Sequence, residues 1–167
     1  MTRHSTDIGL SDHEKSVLQR LEERGWFVNK IMANESAPQF AYSLGLYERW
    51  QQPELILAAL DLDMMHRLIN DAGELIRRGA RFNDGETSND LLEGLPVAFR
   101  NVDAEWCRKL MTWTSWYYGG SDFPALQIVW PDGEGRFPWE PNFDRRIKQM
   151  QPDLSISPDA TKQPLIR

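Results

Sequence analysis

The sequence predicts a single α+β domain, a mostly antiparallel or mixed sheet packed by about three helices. Three observations lead there. Segments of helical and of strand-like periodicity run in the order α, β, β, β, α, β, α, β, with room for one more strand. The first two strand-like segments are separated by only a short turn, which favours an antiparallel pair. The chain has 167 residues, 41% apolar and 26% charged, with seven Trp and seven Phe, enough for one core without staples.

The elements follow in order. Residues 1–10 read as a flexible tail and 11–154 as the domain. "SDHE" places Ser11 and Glu14 at capping-box spacing, so a helix over 11–24 is expected, closed by Gly25. "WFVNKIMA" (26–33) is rich in β-formers and "NESAP" in turn-formers. In "QFAYSLGLY", Phe40, Tyr42, Leu44 and Leu46 alternate with Ala41, Ser43 and Gly45. The small-residue face allows a helix, a backbone or a ligand to approach closely. "ELILAAL" (54–60) suits a strand buried on both faces. Asp61 or Asp63 can cap a helix over 63–78, whose Met65, Leu68, Ile69, Ala72, Leu75 and Ile76 recur at helical spacing.

"RFNDGETSNDLLEG" reads as a loop, "LPVAFRNV" (95–102) as a strand, and Trp106, Leu110, Trp113 and Tyr117 as one stripe of a helix over 103–117. "ALQIVW" (125–130) is a strand, with "GRFPWE" as its candidate hairpin partner. From Gln151 the chain is polar and proline-rich, an extended tail that is complete by 155–167.

Charge and motif content exclude several functions. The net charge is −6 with acid and base mixed throughout, so no basic stripe exists to release counterions from nucleic acid. No apolar run reaches the roughly 20 residues of a membrane helix. A single cysteine, Cys107, excludes an intrachain disulfide framework and fits a reducing, cytoplasmic setting, as does an N-terminus lacking the apolar core of a signal peptide. There is no HExxH, no glycine-rich phosphate loop and no Gly-x-Ser-x-Gly elbow, so neither a metal site nor a cofactor is expected. His66 sits at the edge of its helix stripe. Cys107, near a helix start, lacks an identifiable histidine partner and reads better as structural.

The carboxylates are the remaining chemical candidates. Glu54 opens the buried strand. Asp132 and Glu134 could split their pKa values as an acid/base pair beside Glu140. Against this, Pro131-Asp132-Gly133 is a turn pattern in which aspartate bonds its own backbone. Two readings result. One is a binding or interaction domain recognising a small ligand or a partner protein, with Tyr42, Ser43, Trp130, Asp132, Glu134, Trp139 and Glu140 as the platform. The alternative is a small hydrolase or transferase using the carboxylates of the 132–140 hairpin. Neither nucleic acid nor membrane is expected as a partner, and oligomeric state is not encoded in any recognisable pattern.

The series "FAYSLGLY", "PELI", "GLPVAF", "YYGG", "ALQIVWPDGEGRFPWE" and "QPDL" resembles a bacterial domain family of unknown function, number 4262, over about residues 24–154. Ser43 stands where the family more commonly has threonine, and a hydroxyl is kept. The resemblance implies a compact intracellular bacterial domain and brings no reaction, cofactor or catalytic residue.

Overall fold

The structure is a computed structural model that describes residues 9–161. Helix α1 (Asp12–Arg24) starts at the expected capping box, Ser11 and Glu14 each bonding the other's backbone N–H, and ends at Gly25. Strands β1 (Phe27–Ile31) and β2 (Phe40–Leu44) pair antiparallel. A short helix α2 (Leu46–Trp50) precedes β3 (Glu54–Ala58), every residue of which is buried. Helix α3 (Leu62–Arg77) is capped by Asp61. Strands β4 (Thr87–Leu92) and β5 (Leu95–Asn101) form a hairpin, followed by α4 (Ala104–Leu110), α5 (Thr112–Tyr118) and β6 (Ala125–Val129). Two single-turn helices, α6 (Arg145–Lys148) and α7 (Pro158–Thr161), complete the order.

The six strands form one mixed sheet in the order β1-β2-β3-β6-β5-β4. Only the central β3–β6 pair is parallel. This is the expected α+β class.

Apolar side chains on alternate strand positions divide between the two sheet faces, as a pleated strand requires. On one face Ala41, Leu55, Leu57, Val97, Phe99, Leu126 and Ile128 meet Met65, Leu68, Ile69, Ala72 and Ile76 of α3. Each large side chain so buried stabilises the fold by about 1.5–3 kcal/mol. The small-residue face of β2 is therefore taken by a helix. Helix α3 also offers Gly73, where an added Cβ would stand 2.6 Å from the Trp26 indole. That indole packs in the same core and donates to Asn70 Oδ1 at 2.8 Å.

On the opposite face Tyr42, Ile56 and Ala125 pack against Trp106, Cys107 and Met111 of the α4–α5 region and against Leu154. Val17 and Leu21 of α1 join Leu44 and Tyr117 there. Towards the other end of this face Ala98 and Val129 form a small separate cluster with Phe137. Helices thus cover the β1–β2–β3 side of this face, and a loop covers part of the rest.

Five expectations are corrected. Leu46 does not continue β2; it starts α2, because the chain turns at Gly45 (φ +109°). The expected helix over 103–117 breaks at Met111 (φ −95°, ψ 59°) into α4 and α5. The restart aims α5 onto β2, where the Trp113 N–H donates to Tyr42 Oη and Thr114 Oγ1 donates to the Ser43 carbonyl. The expected loop over 81–94 contains β4, an edge strand whose polar "TSND" needs no apolar alternation because few of its side chains are buried. "GRFPWE" is not a hairpin partner of β6, since both edges of β6 are already paired, with β3 and β5. The chain from Gln151 is not simply an extended tail: Gln151, Pro152 and Leu154 are buried. Gln127 ties this strap down, donating to the Pro152 carbonyl at 2.8 Å and accepting from the Leu154 N–H at 3.1 Å.

Candidate functional site

Glu54 is fully buried at the head of β3. Five donors converge on its carboxylate. Ser43 Oγ bonds Oε1 at 2.7 Å, and the N–H groups of Gly45, Leu46 and Tyr47 donate at 3.0, 3.3 and 3.1 Å. Tyr118 Oη supplies the fifth. The backbone donors come from the turn into α2, whose first N–H groups lack intrahelical partners. Gly45 makes that turn possible: an added Cβ there would lie 2.5 Å from the Gly25 carbonyl oxygen. Ser43 Oγ and Tyr118 Oη relay further, accepting from the N–H groups of Leu55 and of Gly45 and Glu48. Burial raises the Glu54 pKa above its ordinary value, opposed by the bonds from Tyr118, Ser43, Tyr47 and Gly45. Burial, the nearby Glu54 charge and its hydrogen bond raise the Tyr118 pKa. With every acceptor position engaged, this carboxylate joins β2, β3, α2 and α5 rather than facing a substrate.

Asp132 is likewise buried and internally committed. Its Oδ1 accepts the N–H groups of Glu134 and Arg136, both at 2.9 Å, and its Oδ2 accepts the Asp144 N–H at 3.1 Å. Burial works to raise its pKa, but the bonds from Arg136, Glu134 and Asp144 prevail and hold it below the usual aspartate value. The expected Pro-Asp-Gly turn is present, and the same side chain also anchors the loop twelve residues on.

The C-terminal ends of the parallel pair, a common ligand position in open sheets, are plugged. Trp130 Nε1 donates to the Ala58 carbonyl at 2.8 Å, while Gln151 bonds both the N–H and the carbonyl of Trp130.

An open cleft of about 680 Å³ lies instead over β4 and β5, on the sheet face opposite α3, and among the described residues no helix contributes to its lining. Thr87 and Ala98, cross-strand partners, share its floor with Arg100, and Phe137, Trp139 and Glu140 form a wall. Asp84, Asn101 and Ser155 stand around it. Trp139 is 47% exposed and stacks on Phe137 with centroids 5.2 Å apart. The Arg100 guanidinium stands 3.8 Å from the Trp139 ring centroid, close enough for a cation–π contact. A second cleft of about 430 Å³, bordered by Arg145 and Lys148, shares Glu140 with the first.

The predicted platform residues are not brought into one site. Tyr42, Ser43, Trp130 and Asp132 are buried and bonded within the fold, whereas Trp139 and Glu140 line the cleft and Glu134 is exposed on the Asp132 turn. The sequence reading misses Arg100, Thr87 and Asn101. One signal was available for Arg100, which breaks the apolar run of "LPVAFRNV". Cys107 is buried and its thiol is pushed up to about 11, so it is no ready nucleophile. Partial burial, with Lys30 and Arg24 nearby, lowers the His66 pKa, and its ring contacts Asn70, the residue that holds Trp26. Among the described residues no group of three or more His, Cys, Asp or Glu side chains is placed to hold a metal ion.

A family model described as a domain of unknown function (DUF4262) matches residues 20–144, most of the chain. The chain belongs to the DUF4262 family. No curated protein and no solved structure matches it. The DUF4262 match encloses Glu54 with all five of its donors and Asp132 with all of its partners. It also spans Thr87, Arg100, Asn101, Trp139 and Glu140 of the cleft, leaving only Ser155 of its lining outside. Among the described residues no helix is long and apolar enough to cross a membrane.

Proposed function

We propose that this protein is a binding domain that recognises a small ligand in the cleft over β4 and β5, acting in a reducing, cytoplasmic setting. The cleft itself carries the reading. Its volume of about 680 Å³ falls within the range of about 300–1,000 Å³ common to small-molecule sites. Its wall presents a half-exposed tryptophan held by a phenylalanine and an arginine, and such residues dominate recognition surfaces. The lone buried thiol supports the reducing compartment.

No observation favours the hydrolase or transferase reading. Asp132 is engaged by four bonds within its own loop, and Glu140 Oε2 accepts the Phe137 N–H at 2.6 Å. These carboxylates serve backbone that would otherwise be unpaired.

A thermal-shift screen of metabolites, followed by amide chemical-shift mapping of each hit, tests the binding role. A ligand should raise the melting temperature and perturb Thr87, Arg100, Asn101 and Trp139, and Trp139→Ala should abolish both effects. Hits that map only to other surfaces, or none in a broad library, would contradict it.

A further inference from the structure

The arrangement of charge in the cleft narrows the class of ligand, provided that the binding role holds. Arg77, Arg108, Arg136 and Arg146 each pair with a carboxylate. Arg100 shares its cleft with two carboxylates, Asp84 and Glu140, yet pairs with neither and lies against the Trp139 ring. A cation–π contact fixes the guanidinium without consuming its N–H donors.

The two acids are each half committed. Asp84 Oδ1 accepts the Asn101 N–H at 2.7 Å, and Glu140 Oε2 accepts the Phe137 N–H. Each keeps one oxygen with no protein donor among the described residues. The site therefore offers an open guanidinium fork, two open carboxylate oxygens and an apolar surface at Trp139.

We propose that the cleft takes a small zwitterion with an apolar body, the chemistry of a free amino acid or a dipeptide. Its carboxylate would accept two parallel bonds from Arg100, the geometry in which Arg is strongest. Its ammonium group would lie towards Asp84 and Glu140, and its side chain against the indole. The cleft lining carries one guanidinium and two carboxylates, so a dianion such as a phosphate ester meets net repulsion, while a zwitterion meets opposite charge at both ends.

Calorimetric and amide-shift titrations of the full chain with four probes test this: L-phenylalanine, L-phenylalanylglycine, phenylalaninamide and 3-phenylpropionate. The first two carry both charges, and comparing them separates amino acid from dipeptide. At least one should perturb Thr87, Arg100, Asn101 and Trp139, and each singly charged analogue should bind about tenfold more weakly or worse. Arg100→Met, checked for folding by circular dichroism, should weaken the zwitterions about tenfold while leaving phenylalaninamide within about twofold. Glu140→Gln should spare 3-phenylpropionate in the same way. Equal affinity for zwitterion and singly charged analogue, or no shifts from either zwitterion, would overturn the inference. Should a compound of other chemistry perturb the same cleft while both zwitterions do not, the binding role would stand and the zwitterion would fall.

Discussion

Glu54 shows how much of this fold hangs on single polar atoms. Its carboxylate is buried with five donors, so Glu54→Gln replaces an acceptor oxygen by an NH₂ group facing those donors. We expect a loss of about 3 kcal/mol in urea unfolding. Gly45→Ala, which forces a Cβ into the Gly25 carbonyl at a positive φ, should cost about as much, by about 3 kcal/mol. The pH dependence of Glu54 has a definite sign. Its raised pKa means that the folded state binds the proton more readily than the unfolded chain. Its contribution therefore falls as pH rises from about 4.5 through the raised value. The stability difference between wild type and Glu54→Gln should be larger below that window than above it. A difference that grows with pH would mean that the five donors outweigh burial.

Local elements explain which parts of the fold were legible in the sequence. Helices α1 and α3 and strands β1, β3, β5 and β6 carry their own signals, in caps, apolar runs and 3.6-residue periodicity. The break at Met111 carries none, because it is set by bonds from Trp113 and Thr114 to β2, 71 residues away in sequence. Strand β4 was hidden because an edge strand can be polar. The cleft was hidden for a related reason: a surface left bare by helices elsewhere has no signature in its own residues. Of the expected platform, Trp139 and Glu140 reach the cleft, while the turn residue Asp132 does the local bonding its Pro-Asp-Gly context foretold. The Gln151–Leu154 strap gives a prediction at this scale. Gln151→Ala leaves the Trp130 N–H and carbonyl buried without partners and should cost about 1–3 kcal/mol by chemical unfolding. It should also speed hydrogen exchange at Trp130 and Leu154, and unchanged exchange would mean that the strap is held by its bonds to Gln127, Asp103 and Trp106 without Gln151.

Across the whole molecule, buried polar chemistry and exposed recognition chemistry occupy different places. Glu54, Asp132 and Gln127 tie chain segments together beneath the surface, while Arg100 and Trp139 line the cleft over β4 and β5, on the sheet face opposite α3. The two sets should therefore fail differently. Trp139→Ala removes a half-exposed side chain and should lower stability by less than about 1 kcal/mol, while abolishing ligand-induced shifts. Glu54→Gln should lower stability severalfold more, yet the fraction that remains folded should bind with wild-type affinity. Amide chemical-shift titration of wild type, Trp139→Ala and Glu54→Gln with the same thermal-shift hit is the most direct measurement of this division. The account predicts cleft-localised shifts in wild type and Glu54→Gln and none in Trp139→Ala. Shifts that persist in Trp139→Ala but vanish from folded Glu54→Gln would place recognition at the buried carboxylate and contradict it.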